Sequence, residues 1–330
     1  MTIALNSLGR RQRGAALITA VLVVTLASVA AVAMVTRQRM DLRLSENVLY
    51  LEQAALYLGG AEAYVMPLLT QDLLNNNKFD NLEEYGENSV VFPVEGGVLT
   101  GRVEDLQGRF NINNLLDDKG KRSDPDYQLF KRMLEHLELP PDLADAVVDW
   151  LDADEEARGI GGAEDNYYLG MPVAYRTANQ PLRSTSELLL VRGFGDRLPD
   201  SELRVYDMVE PFVVALPGRT RVNVNTADSN NELPPGVLAS VLKDISLQDA
   251  QDLRQGRTNE GWETRDQFLQ ESVLAGKVGK DADRVLDVAS NYFLLTAEAQ
   301  VGRARSTLYT LLNRSDDGKV SVVLRSYGGL

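Results

Sequence analysis

The sequence predicts an α+β fold: a long N-terminal helix, an antiparallel sheet packed on it, and a large all-α insert between the sheet's strands. Three observations support this. Ala15 to Val35 is a run of twenty-one uncharged residues, and an apolar stripe at helical spacing follows it. β-prone alternation occurs once early, within Val98–Asn113, and afterwards only near the C-terminus. About 180 residues separate the two, and short motifs recur within them.

The 330 residues give room for about two domains at the usual ~100–200 residues each. With no cysteine and one histidine, His136, the chain cannot build a disulfide framework, a cysteine-rich zinc site, a thiol nucleophile or an iron–sulfur cluster. Net charge is −14, from 34 basic and 48 acidic residues. Arg10, Arg11 and Arg13 precede the apolar run, so the chain after Thr36 carries 31 bases against 48 acids, a net of −17. Such a body repels phosphate backbones, which argues against nucleic acid as a partner.

As a helix, the apolar run spans ~31 Å, about one hydrocarbon core. The arginines before it place the N-terminus in the cytoplasm and the body across the membrane. A secretory signal cut near Ala30 or Ala33, an uncut anchor and a prepilin-like leader all begin this way. In the third, Arg13-Gly14-Ala15 is the junction: cleavage after Gly14 leaves Ala15 as the new N-terminus. Continuation of the helix favours it. Arg37 to Val65 has no proline, and Leu44, Val48, Leu51, Ala55 and Leu58 recur at steps of four and three. Gly59-Gly60 predicts a bend, and Pro67 marks the expected end.

In the body, Val98–Asn113 reads as one strand, and Phe293–Val301, Ser306–Asn313 and Val320–Arg325 as three more, the last two joined by a turn at Ser315–Gly318. The insert carries a diverged duplication. Arg109-Phe110-Asn111-Ile112-Asn113 parallels Arg221-Val222-Asn223-Val224-Asn225, and Leu139-Pro140-Pro141 parallels Leu233-Pro234-Pro235. Ser184-Thr185-Ser186-Glu187-Leu188-Leu189 parallels Glu263-Thr264-Arg265-Asp266-Gln267-Phe268, both with helix-capping character. Two helical modules follow. They look like SAM-like or helix-hairpin-helix-like units, and their acidic, glycine-poor hairpins do not suit DNA.

One stretch carries chemistry. From Asp142 to Asp165 there are nine acids and one base, Arg158. Gly159, Gly161 and Gly162 permit a tight return that brings Glu164 and Asp165 back toward Asp152 and Asp154. Oxygen-only ligands on a glycine-rich loop match calcium. Asp152, Asp154, Glu164 and Asp165 are the first candidate ligands, with Asp149 and Asn179 behind them. The spacing is not that of an EF-hand, because Ala157 and Ala163 fall where its glycine and bidentate glutamate belong. A solvated acidic loop is the plain alternative. Trp150, Leu151, Tyr167, Tyr168 and Leu169 flank the acids and should pin the loop to a core. Paired carboxylates also serve glycosidases, but no aromatic-rich sugar platform accompanies them.

Leader, Gly14 junction and half-buried helix resemble the pilin superfamily. The rest resembles the K-type minor pseudopilins of type II secretion (GspK/XcpX-like), over nearly the whole chain. Most pilins and pseudopilins have glutamate as fifth mature residue, where this chain has Thr19. K-type members are similar in lacking it. A carboxylate at that depth costs ~2.5–3.5 kcal/mol unless paired, so Thr19 suits a subunit at a filament end. The resemblance implies a pilin-like helix and sheet with two SAM-like/helix-hairpin-helix-like modules, and a calcium loop. It implies a leader (1–14), the helix (15–66), β segments (67–110 and 290–330) and helical modules (111–205 and 206–289). It also implies no enzymatic activity, a single-pass inner-membrane anchor with a periplasmic body, and processing by the prepilin peptidase between Gly14 and Ala15. Partners would be I-type and J-type minor pseudopilins, and H-type, at the pseudopilus tip, with a part in starting assembly and exporting folded proteins. Leu44, Val48, Leu51, Ala55 and Leu58 would share self-packing and partner helices. A membrane-anchored receptor holding DNA or a secreted substrate is the rival class.

Overall fold

The computed structural model describes residues 8–75, 79–82, 89–279 and 281–329. Helix α1 (Leu8–Asn75) is followed by strands β1 (Val90–Val94), β2 (Gly97–Asp105) and β3 (Phe110–Asn111). Helices α2 (Asp124–His136), α3 (Leu143–Leu151), α4 (Asp165–Tyr168) and α5 (Val205–Val209) lead to β4 (Val213–Val214) and β5 (Val222–Asn223). Helices α6 (Gly236–Val241), α7 (Leu247–Gly256), α8 (Arg265–Leu269) and α9 (Ala282–Val285) come next. The chain ends with β6 (Leu286–Asp287), β7 (Tyr292–Val301), β8 (Ala304–Arg314) and β9 (Val320–Tyr327).

The 68 residues of α1 rise about 100 Å at helical pitch. Every side chain from Ala15 to Val35 is exposed, so this stretch has no apolar partner among the described residues. Lower down, Ala54, Leu58, Ala61 and Leu69 are buried against Phe293, Leu295, Ala297, Ala299 and Val301 of β7 and Leu308 and Leu312 of β8. The helix does not stop at residue 66: it continues through Gly59-Gly60 and Pro67 to Asn75. An internal proline costs ~3 kcal/mol through its missing N–H. Burial of Leu69 beyond it, and an ion pair from Asp72 to Arg314 at 2.8 Å, hold the last turns.

The sheet has five antiparallel strands in the order β1-β2-β7-β8-β9. β7 alternates strictly, its odd-numbered residues facing α1, as a sheet covered on one face requires. The three late strands lie where expected. The early strand does not reach Asn113. Asp105 ends it by accepting the Gln107 N–H at 2.8 Å, which starts a 3₁₀ turn. β1 was not legible because Pro93 argues against a strand; it is tolerated since β1 is an edge. Across the helix–sheet interface, buried Glu62 of α1 accepts hydrogen bonds from Thr310 of β8 and from both arms of Arg325 of β9.

The insert is a true repeat, in a different register from the one the proline pairs suggest. In the first unit β3 pairs parallel with β4, and in the second β5 pairs parallel with β6. The first unit therefore closes after β4, beyond the expected boundary at residue 205. The Asn-X-Asn motifs are equivalent: Asn113 Nδ2 donates to Leu182 O and its Oδ1 accepts the Leu182 N–H, while Asn225 does the same with Trp262. Two residues on, Ser184 and Thr264 open matching capping boxes with Glu187 and Gln267. Each unit contains a helix pair, α2–α3 and α6–α7, whose connection turns on a left-handed residue, Glu138 (φ 59°) or Asp244 (φ 64°). Pro140-Pro141 thus precedes the second helix of its pair and Pro234-Pro235 the first, so those motifs are not counterparts. One segment has no counterpart. Between α3 and Leu182 the first unit carries the acidic loop and α4, where the second passes from α7 to Trp262 directly.

Sheet and repeat meet at a buried polar junction. Arg314, 1% exposed, donates to Asp80 at 2.5 and 2.7 Å, to Asp72, and to the carbonyls of Leu69 and Ser290, with its guanidinium over Phe293. Beside it, Asp105 Oδ2 accepts from Asn223, Thr226 and Ser290, while Asp80 accepts the Ser290 N–H. Arg314→Met would leave the Asp80 carboxylate buried without its cation, and is expected to lower unfolding free energy by about 3–5 kcal/mol. Adding Asp80→Asn should recover part of the loss, as read by denaturant titration of the full chain in detergent.

Candidate metal centre

Asp149 and Asp152 lie three apart at the end of α3, on one helix face and almost fully buried. Past Asp152 the chain leaves the core and folds back at once. The return is so tight that a Cβ at Gly162 would stand 2.4 Å from Asp149 Oδ2, and one at Gly159 (φ 56°) would stand 2.3 Å from Asp145 Oδ2. Glycine is therefore required at both positions. The Arg158 N–H donates to Asp149 Oδ2 at 3.0 Å, and Gly162 N–H donates to the Arg158 carbonyl at 2.9 Å. This turn delivers Glu164, 3% exposed, to the same spot.

Asp152, Asp154 and Glu164 each present an oxygen within 4.8 Å of the others. Among the described residues, Asp149 Oδ1, Asp152 Oδ1, both oxygens of Glu164 and Asn179 Oδ1 are buried without a hydrogen-bond donor. Buried carboxylate oxygens in that condition are costly and call for a cation. Burial, reinforced by repulsion from Asp149, Asp152, Asp154 and Asp165, pushes Glu164 up to about 7; burial likewise raises Asp149 to about 6 and lifts Asp152. Among the described residues the cation at hand is Arg158, with Nη2 2.6 Å from Asp152 and 2.8 Å from Asp154, and Nε 3.7 Å from Asp149. Hard oxygens without sulfur or imidazole fit a hard divalent ion such as calcium. His136 lies apart, its Nε2 3.2 Å from Ala239 O.

Two expected ligands change places. Asp165 is committed elsewhere: Oδ1 accepts from the Thr177 N–H and hydroxyl, and Oδ2 pairs with Arg176. Its role is to pin residues 176–177. Asn179, in a left-handed conformation (φ 47°) with its N–H on Trp150 O, instead has an unpartnered buried carbonyl oxygen. The expected aromatic support is present, with Trp150 and Tyr168 buried edge to face at 5.2 Å, while Tyr167 and Leu169 lie at the surface. Arg158 was the residue not assigned a role; its sequence signal was being the one base among nine acids.

The helix positions divide by depth. Gly14 lies within α1, directly before the exposed apolar run that Ala15 begins, and residues 1–7 of the expected leader lie outside the described residues. The Thr19 hydroxyl donates to Ala15 O and Ala16 O, so it is satisfied within its own helix. Leu58 faces the sheet. Leu44, Val48, Leu51 and Ala55 are exposed, and Ala54, one residue round from Ala55, takes the inward place.

Two family models, both described as type II secretion system (T2SS), protein K, match residues 108–218 and 222–289. They divide the chain where the two repeat units meet. Type II secretion system protein K of Aeromonas hydrophila is 35% identical over 97% of this chain and 98% of its own length. The chain belongs to the type II secretion system protein K family. The Pseudomonas aeruginosa member is 34% identical over 97% of this chain and 94% of that protein. A solved chain from the GspK-GspI-GspJ complex of enterotoxigenic Escherichia coli is 28% identical, with a TM-score of 0.71 over 87% of this chain and 99% of that one. As a member of this family, the chain is a minor pseudopilin of type II secretion, and its one long apolar helix fits a membrane anchor.

Burial of the Glu164 carboxylate, reinforced by repulsion from its acidic neighbours, makes a specific prediction. In chelator at neutral pH, Glu164→Gln should be more stable than the parent, by about 1–3 kcal/mol at ~1.4 kcal/mol per pH unit of relieved shift. Thermal melts of the two full-length proteins would check it.

Proposed function

We propose that this minor pseudopilin sits at the tip of the pseudopilus with I-type and J-type partners, and with the H-type subunit, starting assembly and helping folded proteins across the outer membrane. The likeness to a chain solved within a GspK-GspI-GspJ complex carries this reading. Bulk supports it. The double helical unit enlarges the body beyond the helix and sheet, which would obstruct a subunit stacked above but costs a terminal subunit nothing. The exposed Leu44, Val48, Leu51 and Ala55 leave an apolar flank of α1 for neighbouring helices.

In this reading α1 is a single-pass inner-membrane anchor with its N-terminus cytoplasmic and its body periplasmic. The prepilin peptidase cuts after Gly14. The body is a structural and assembly element rather than an enzyme, and its two SAM-like, helix-hairpin-helix-like units act by packing and not on nucleic acid. Calcium is held by Asp152, Asp154 and Glu164, with Asp149 and Asn179 close by, and Asp165 braces the loop from outside. The ion supplies divalent charge where buried oxygens have no donor, stabilising an insert that has no disulfide.

Gly14→Val should leave an uncut N-terminus and abolish secretion. Intact mass and N-terminal sequencing of protein from membranes, with and without the peptidase, would show whether the mature chain starts at Ala15. A start beyond Ala30 would remove the pilin frame. Asp152→Asn should lower calcium affinity about tenfold or more while leaving the fold intact, measured by calorimetric titration of the full chain in detergent.

A further inference from the structure

The loop that gathers the acids also carries its own positive charge, and that charge occupies the oxygens a metal would need. Arg158 Nη2 contacts Asp152 Oδ2 and Asp154 Oδ2 together, at 2.6 and 2.8 Å. Calcium approaches carboxylate oxygens to ~2.3–2.6 Å, so an ion shared by those two oxygens would take the place the guanidinium fills. Both cannot stay. The Arg158 backbone is held by its N–H on Asp149 and by Gly162 N–H on its carbonyl. Its side chain is 31% exposed and so has a route to water without disturbing that turn.

We propose that Arg158 is a tethered competitor for the metal. This inference rests on the calcium reading above and adds an affinity-setting residue to it. In the metal-free chain the guanidinium offsets part of the charge of Asp152 and Asp154 and keeps the loop folded. A divalent ion must displace it, so the site saturates only at higher calcium than its oxygens alone would demand. Glu164 is outside Arg158's ion pairs, and its unpartnered oxygens give the incoming ion a foothold the arginine does not block. The second repeat unit lacks the loop and with it both parts of this device.

The test is calcium titration of the full-length protein in detergent, comparing the parent, Arg158→Gln and Arg158→Lys. Arg158→Gln should bind about tenfold tighter, the expected scale when partly exposed ion pairs no longer compete. It should also melt lower than the parent in chelator but not in calcium. Arg158→Lys keeps the charge and should stay near the parent. In the parent, phenylglyoxal should modify Arg158 faster with calcium than in chelator, as read by peptide mass; this measurement does not depend on a variant folding. Equal or weaker binding by Arg158→Gln, or modification indifferent to calcium, would overturn the proposal while leaving the calcium site standing. No calcium uptake by either the parent or Arg158→Gln would overturn both.

Discussion

Arg314 is buried at the point where three parts of the chain converge, and the architecture depends on its being neutralised there. It sits at the end of β8, yet its partners are Asp72 at the foot of α1, Asp80 in the passage out of that helix, and the carbonyl of Ser290 before β7. Asp105 and Asn223 extend the network into the second helical unit. Apolar contact is non-directional and would let the sheet and the repeat slide against one another. A junction of buried ion pairs and hydrogen bonds favours one arrangement, because others would strand a charge in the interior. For an assembly subunit this means the helical body is held at a set orientation to the helix that enters the filament.

The duplicated insert shows how a scaffold acquires a site. Both units share the strand pairing, the asparagine clamp and the capped turn, and these satisfy the backbone at the same places. The acidic loop is added to one copy, between elements the repeat already holds rigid. Its glycines press the returning chain onto α3, and Trp150 and Tyr168 seal the side facing the core. Carboxylates that would disperse on a free loop are thereby concentrated, with Arg158 as the intramolecular counterion. The same electrostatics bear on the loop's stability: it needs positive charge, and the charge it carries is one unit against several acids.

The long helix has two lives in one element. Its outer part has no apolar partner among the described residues, while its inner part buries alanines and leucines against apolar residues of β7 and places Glu62 between β8 and β9. The stripe between Leu44 and Ala55 belongs to neither. That leaves an apolar flank on an otherwise acidic body, in keeping with a subunit that packs by its helix.

Much was determined by the sequence alone. The apolar run specifies a helix long and apolar enough to cross a membrane, because lipid would demand an internally bonded backbone. The three C-terminal strands follow from β-prone composition and turn placement, and the acidic loop from its dense carboxylates and glycine placement. What the tertiary structure decided concerns balances between distant groups. Pro67 does not end α1, because burial of Leu69 and the Asp72 ion pair outweigh one lost hydrogen bond. Pro93 does not prevent β1, because the strand lies at an edge. The repeat register is set by strand pairing and the asparagine clamps, whereas the proline pairs only look alike. Asp165 is taken up by Arg176 and Thr177, eleven and twelve residues on, whereas Asn179 Oδ1 finds no donor among the described residues. Local pattern specifies elements; which buried oxygen finds a donor is settled only when the chain has closed.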